Sequence, residues 1–235
     1  MIKKYIPYGV KIRLHLLKNA VRDFSNGYMF SFAKIKPQHL DESIVFALTQ
    51  DLKSNEFKKQ NILKAKSFID HVTIWPDQIF SFWKIVGNPS GKRGFVQSRS
   101  LVNGETIDSF GGGLCQLSGL LYLVSIHCGL IVLERHNHSV DIYDDDSRYM
   151  PLGGDATVAY GHKDLKIRNN LRQPIRFAIS TNDDTVSVGI RCADEITVRK
   201  VDFAITHQDA DIKVVETIIN DETALRSTYK NLVTN

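Results

Sequence analysis

The chain is 235 residues long, 43% apolar and 24% charged, with a formal net charge of +4. Those totals describe an ordinary soluble globular protein of one domain or a domain with an appendage, and the charge is too small to indicate nucleic acid as a partner. Three cysteines (Cys115, Cys128, Cys192) with no CxxC spacing argue against a disulfide framework and fit a reducing cytoplasm or an inner membrane face.

The basic excess is concentrated at the start. Residues 1–22 carry Lys3, Lys4, Lys11, Arg13, Lys18 and Arg22 and no acid, interleaved with Val10, Ile12, Leu14, Leu16, Leu17 and Val21. Such a segment suits either a peripheral membrane contact or a basic arm packed on the domain. Pro7, Lys11, Arg13 and His15 interrupt any signal-peptide core, and no apolar run is long enough to span a bilayer.

Further along, EFKKQNILKAKSFID (56–70) sets Ile62, Ala65, Phe68 and Ile69 at helical spacing. IWPDQIFSFWKIVG follows as a strand-like or irregular core piece with a Pro76-Asp77 turn, then a Gly/Pro-rich loop at 88–95 and a β-prone stretch at 96–110. Residues 114–128 form the clearest helix, strongly apolar despite Gln116, Ser118, Ser125 and His127, and closed near Gly129. The period then changes. LIVLERHNHSVDI (130–142) reads as a strand with Val132, Glu134, His136, His138 and Val140 on one face, and DATVAYG (155–161) as another. The Asp144–Asp146 run reads as a solvated loop. KDLKIRN, PIRFAIS, TVSVGIRC, ITVRKVDFAIT and IKVVETII complete a β-rich end, with Asn182-Asp183-Asp184 as a hairpin turn. The fold class expected is α+β: N-terminal helices, a central buried helix carrying Cys115, then an antiparallel sheet. The expected organisation is a basic arm and lead-in at 1–54, a core domain at 55–180 and, at 181–235, a C-terminal β-rich extension of the same domain.

Chemistry concentrates around Cys115. Gly111, Gly112 and Gly113 lead directly into it, which places the thiol in the first turn of a buried helix. Free N–H groups and the positive helix end stabilise a thiolate there. Attack by a thiolate needs a base and a group that orients the base. His136 and His138 follow on the next segment and Asp155 on the one after, an order shared by papain-like enzymes at the level of fold analogy. Gly112, Gly113 and the Gln116 backbone are expected to line the substrate, with the N–H groups around Cys115 and Gln116 binding an oxyanion. Arg135 and Lys163 are expected to pair with substrate carboxylates. Cys128, Cys192 and His127 read as structural. No cofactor is expected. The alternatives are a zinc site built from Cys115, His136, His138 and Asp155, and a non-catalytic binding module.

FGGGLCQLSGLLY (110–122), ERHNHS (134–139) and DATVAYGHKDLKIRN (155–169), with FSFWK (80–84) upstream, closely resemble the VanW family over about residues 55–170. That resemblance implies a link to glycopeptide (vancomycin) resistance and to cell-wall metabolism. Modules of this family in larger exported proteins look like cysteine L,D-transpeptidases, so the expected substrate is a peptidoglycan stem peptide or its precursor. The family cysteine falls on Cys115, its His-x-His pair on His136 and His138, and its aspartate on Asp155.

Overall fold

A computed structural model describes residues 7–36, 42–52, 55–102, 105–141 and 150–231 of the chain. Residues 1–6 of the basic arm and the Asp144–Asp146 run lie outside the described residues. Among those described, four α-helices and twelve strands alternate in an α+β arrangement.

Helix α1 (Tyr8–Ser25) opens the chain, and strand β1 (Ser43–Asp51) follows. Helix α2 (Glu56–Ile69) begins where the Asn55 side chain accepts the Lys58 N–H, a cap that satisfies one orphan donor of the first turn. It buries Ile62, Ala65 and Ile69, three of the four apolar residues that the sequence spacing selects. Pro76 and Asp77 form the expected turn, and the aromatic stretch then divides into strand β2 (Ile79–Ser81) and the short helix α3 (Phe82–Val86), capped by Ser81. Strands β3 (Gln97–Val102) and β4 (Glu105–Phe110) form a separate hairpin.

Helix α4 (Leu114–His127) is the centre of the molecule. Twelve of its residues are buried, in keeping with its all-round apolar sequence, and it contacts β1, α2 and two later strands, β5 (Ile131–Glu134) and β9 (Thr185–Cys192). Its surroundings are three sheets. β1 pairs antiparallel with β9, which pairs with β8 (Arg176–Thr181). β5 pairs with β7 (Lys166–Arg168), which pairs with β2. The third runs β10 (Val201–Gln208), β11 (Ile212–Ile219), β12 (Glu222–Asn231) and β6 (Val140–Asp141), with β6 parallel to β12. Cys128 and Cys192 are each 1% exposed, as small buried hydrophobes should be.

Two expectations are corrected here. The strand read over 130–142 breaks: β5 ends at Glu134 and β6 starts at Val140, so His136 and His138 lie on an extended connection rather than a continuous ladder. The strand read over 155–161 is also irregular, with an isolated bridge between Ala159 and Lys163 as its ladder contact. Alternating residues mimic a strand in both places because an extended backbone exposes opposite faces whether or not a partner strand is present. One sheet joins the lead-in, the core and the C-terminal extension. The β8–β9 hairpin straddles residue 180, and β1 from the lead-in is a strand of that same sheet.

Candidate functional site

Cys115 is the second residue of α4 and is half-buried. Its thiol donates to the carbonyl of Val158 at 3.6 Å and sits close enough to the His138 side chain to raise that ring's pKa. On the other side of that ring, Nδ1 lies 2.6 Å from Asp155 Oδ2, which also accepts the His138 backbone N–H at 2.6 Å. An ionised carboxylate only accepts, so Nδ1 carries a proton and Nε2 is the ring nitrogen that Asp155 leaves available. Burial would push the His138 imidazole down, but its bonds to Asp155 and Cys115 and their charges outweigh that and hold it up at about 9. Burial would push Asp155 up, but His138, Arg135 and the Tyr229 hydroxyl hold it down at about 2.

The irregular connection that carries His138 is fixed from both sides. His136 O accepts the Thr157 N–H at 2.6 Å, and Asn137 Nδ2 reaches Thr228 O at 2.7 Å. Ser139 O accepts the Lys230 N–H at 2.9 Å, where β6 joins β12. The imidazole is therefore placed by the 155–158 segment and by the C-terminal sheet together.

The start of α4 supplies donors. No described residue accepts the backbone N–H groups of Cys115 or Gln116, whereas those of Leu114 and Leu117 go to Gly111 O and Gly113 O. Gln116 itself is turned away: its side chain is buried and donates to Asp51 O at 2.8 Å, tying α4 to β1.

The glycines have a packing role. Gly111 and Gly113 have φ of +87° and +95°. A Cβ on Gly113 would sit 3.2 Å from Lys58 Cα, and one on Gly111 2.9 Å from Leu114 Cδ1. Gly112 is buried and gives its carbonyl to Asn61 Nδ2 at 3.0 Å. The triplet thus lets α2 and the 89–91 loop pack closely against the turn that precedes the helix.

Arg135 also departs from expectation. Its side chain is 5% exposed and lies over the Tyr122 ring. It donates to Asp155 Oδ1 at 2.9 Å, to Asp155 O at 2.6 Å, to Gly153 O at 2.7 Å and to Ser227 Oγ. All three guanidinium nitrogens donate to protein groups on or beside Asp155, which makes Arg135 part of that carboxylate's surroundings. Lys163 is half-exposed and has no ion pair among the described residues; its carbonyl accepts the Trp83 indole N–H at 2.8 Å.

His136 is not at the thiol. Its Nε2 lies 3.0 Å from Glu134 Oε1, and Glu134 Oε2 pairs with Arg22 at 2.6 Å and Lys166 at 3.1 Å. Burial would push Glu134 up, but His136, Lys166 and Arg22 hold it down at about 2. Lys166 also pairs with Asp23, so this network fastens α1 to the β5–β7 ladder. The zinc arrangement is not assembled: among the described residues no three of the His, Cys, Asp and Glu side chains converge on a cation position.

Two supporting residues escape sequence reasoning, Tyr229 and Ser227. The Tyr229 hydroxyl donates to Asp155 Oδ1 at 2.5 Å and accepts the Gly153 N–H at 3.0 Å. The alternation of TALRSTYKN turns Leu225, Ser227 and Tyr229 inward, and that inward face is readable from the sequence. No motif marks its target.

The family described as VanW like protein matches residues 57–191, which include Cys115, His138 and Asp155. The chain is 28% identical over 167 residues to the uncharacterized protein YoaR of Bacillus subtilis (strain 168), covering 71% of this chain and 52% of that protein. It is 29% identical over 136 residues to the vancomycin B-type resistance protein VanW of Enterococcus faecalis (strain ATCC 700802 / V583), covering 58% of this chain and 50% of that protein. The chain therefore spans about half the length of the curated relatives it matches. No solved structure matches it. With more than half of its residues under the family match, and the cysteine, histidine and aspartate all inside it, the chain belongs to the VanW-like protein family.

Proposed function

We propose that this protein transfers acyl groups on peptidoglycan stem peptides or their precursors, with Cys115 as nucleophile, and that its link to cell-wall metabolism and glycopeptide resistance runs through that chemistry. The observation that supports this reading is the Cys115–His138–Asp155 chain of contacts at a helix start with two N–H groups that no described residue accepts. A protonated imidazole within hydrogen-bond reach is the partner a thiolate nucleophile needs.

In the reaction, Cys115 Sγ attacks a stem-peptide carbonyl. The oxyanion is held by the backbone N–H groups of Cys115 and Gln116, an interaction often worth about 3 kcal/mol. Collapse breaks the C–N bond, His138 gives its proton to the departing amine, and a thioester to Cys115 remains. An incoming amine from a second stem peptide then attacks the thioester and loses its proton to His138. The products are a new amide and the free cysteine. Water in place of the amine gives hydrolysis. Asp155 keeps the ring in the one tautomer that serves both steps. Lys163 remains a candidate for a substrate carboxylate.

The test is intact-protein mass spectrometry after incubation with purified stem tetrapeptides. The expected result is an acyl adduct on the wild type and none on Cys115→Ala, with both proteins folded. Absence of adduct and of any new cross-linked or hydrolysed peptide from the wild type would overturn the reading.

A further inference from the structure

Helix α1 presents an apolar stripe that the rest of the described chain leaves uncovered. Leu14, Leu17, Val21 and Phe24 are 53%, 62%, 61% and 66% exposed, and Val10 continues the line at 43%. At 3.6 residues per turn these five fall within an arc of about 80° and run for about 20 Å along the helix. In the turn that follows, Phe30 is 94% exposed. An uninterrupted apolar ridge of this kind marks an interaction surface rather than scattered surface residues.

The charges around the ridge say what it meets. On the same helical wheel Lys11 and Lys18 border it on one side and Arg13 on the other, and none of the three has an ion pair among the described residues. Asp23 is the single acid in the helix, and it lies inward, paired with Lys166. The opposite, inner face is already committed: Ile12 packs at Gly161, Asn19 donates to Gly161 O at 3.1 Å, and the His15 ring lies 4.2 Å from that of His162. The helix therefore has one face tied to the protein and an apolar face rimmed only by cations. That is the pattern of a helix lying in the interface of an anionic bilayer. No described helix is long and apolar enough to cross a membrane.

We propose that α1 seats this protein on an anionic lipid surface, with Leu14, Leu17, Val21 and Phe24 at the acyl boundary and Lys11, Arg13 and Lys18 at the phosphates. The helix carries the 161–166 segment on its inner face, and Val158, whose carbonyl faces the Cys115 thiol, lies three residues before that segment. Docking thus tethers to the membrane the segment that leads out of the cysteine site. The proposal does not depend on what Cys115 does.

The test is flotation of the full chain with vesicles of phosphatidylcholine and phosphatidylglycerol in equal parts, against vesicles of phosphatidylcholine alone. The expected result is at least tenfold more protein floating with the anionic vesicles, reversed in large part by high salt. The Leu17→Glu/Phe24→Glu double variant should lose at least tenfold of that binding. It alters only exposed side chains, so its circular dichroism and melting temperature should match the wild type. Lys11→Glu should weaken binding as well, by about fivefold or more. Cys115→Ala should float like the wild type, which separates this proposal from the acyl-transfer reading. Wild type that stays unbound, or a double variant that floats equally, overturns the proposal. So does a wild-type dimer in solution that the double variant disperses without vesicle binding, because the ridge would then be a contact between copies of the chain.

Discussion

His138 and Asp155 are joined twice: one carboxylate oxygen takes both the ring Nδ1–H and the backbone N–H of the same histidine, each at 2.6 Å. The double contact fixes the ring position as well as its tautomer, and it leaves only the Nε2 edge to meet Cys115. An Asp155→Asn variant keeps the shape but removes the charge. The imidazole then loses its chief reason to hold a proton. In NMR titrations the His138 ring should titrate near 9 in the wild type and well below that in Asp155→Asn, with Cys115→Ala moving it down by a smaller amount. Alkylation of Cys115 by iodoacetamide at pH 7 should slow by about tenfold or more in Asp155→Asn. His136→Gln should leave that rate within about twofold, because His136 faces Glu134. Equal slowing in both variants would mean that the ring beside the sulfur is not the one Asp155 holds.

The same shifts fix how stability depends on pH. His138 is raised in the folded state, so its contribution is fully present below about 6.5 and is lost as pH climbs through about 9. Asp155 and Glu134 are depressed to about 2, so their contributions are present above about 4 and vanish as pH falls toward 2. Urea unfolding of the wild type should therefore show falling stability on both flanks. In His138→Asn the decline between pH 6.5 and 9 should flatten while the acid flank persists. An unchanged alkaline slope would show that another group titrates there.

Gly113 is held by geometry rather than by contact with a ligand. Its φ of +95° is strained for any L side chain, and a Cβ would meet backbone of α2 at Lys58. Gly113→Ala should cost about 2–3 kcal/mol in denaturant unfolding, the left-handed penalty plus crowding that backbone cannot relieve. Gly9→Ala, in α1, meets nothing within 4 Å of the added Cβ and should be neutral or slightly stabilising. A neutral Gly113→Ala would mean that α2 shifts freely, and with it the start of α4.

Much of this arrangement is legible in the residue order, and what is not has a physical cause. α4 and α2 announce themselves because their apolar spacing is local and their ends carry Asn55 or Gly113. The thiol, the ring and the carboxylate are readable as a set because each follows a short landmark in the chain. The choice between His136 and His138 is not readable: two residues apart on an extended backbone they look equivalent, and only Glu134, itself neutralised by Lys166 and Arg22, draws one of them away. Arg135 is misread for a related reason. A charged residue beside a candidate site suggests a ligand until distant Ser227 and Gly153 are seen to enclose it. The place of β1 is not readable because its register depends on β9, more than a hundred residues later.

Tyr229 extends the site beyond the family match, which ends at residue 191. Its hydroxyl joins Asp155 Oδ1 to the Gly153 N–H, and Arg135 reaches the same oxygen. Tyr229→Phe removes a hydrogen bond to a buried charge and strands a backbone donor, so unfolding should become easier by about 2–3 kcal/mol. A purely structural tyrosine would change nothing else. Here the carboxylate loses one of its two anchors and gains freedom to rotate away from the ring, so Cys115 alkylation should slow in the still-folded variant and its pH profile should shift with it. Leu225→Ala, on the same inward face of β12, supplies the control: it should weaken the sheet while leaving the profile of thiol reactivity in place. If both variants lose stability and neither moves the profile, the C-terminal sheet is only a prop for the fold. If Tyr229→Phe alone moves it, the last strand of the chain helps set the charge on a histidine some ninety residues earlier in sequence.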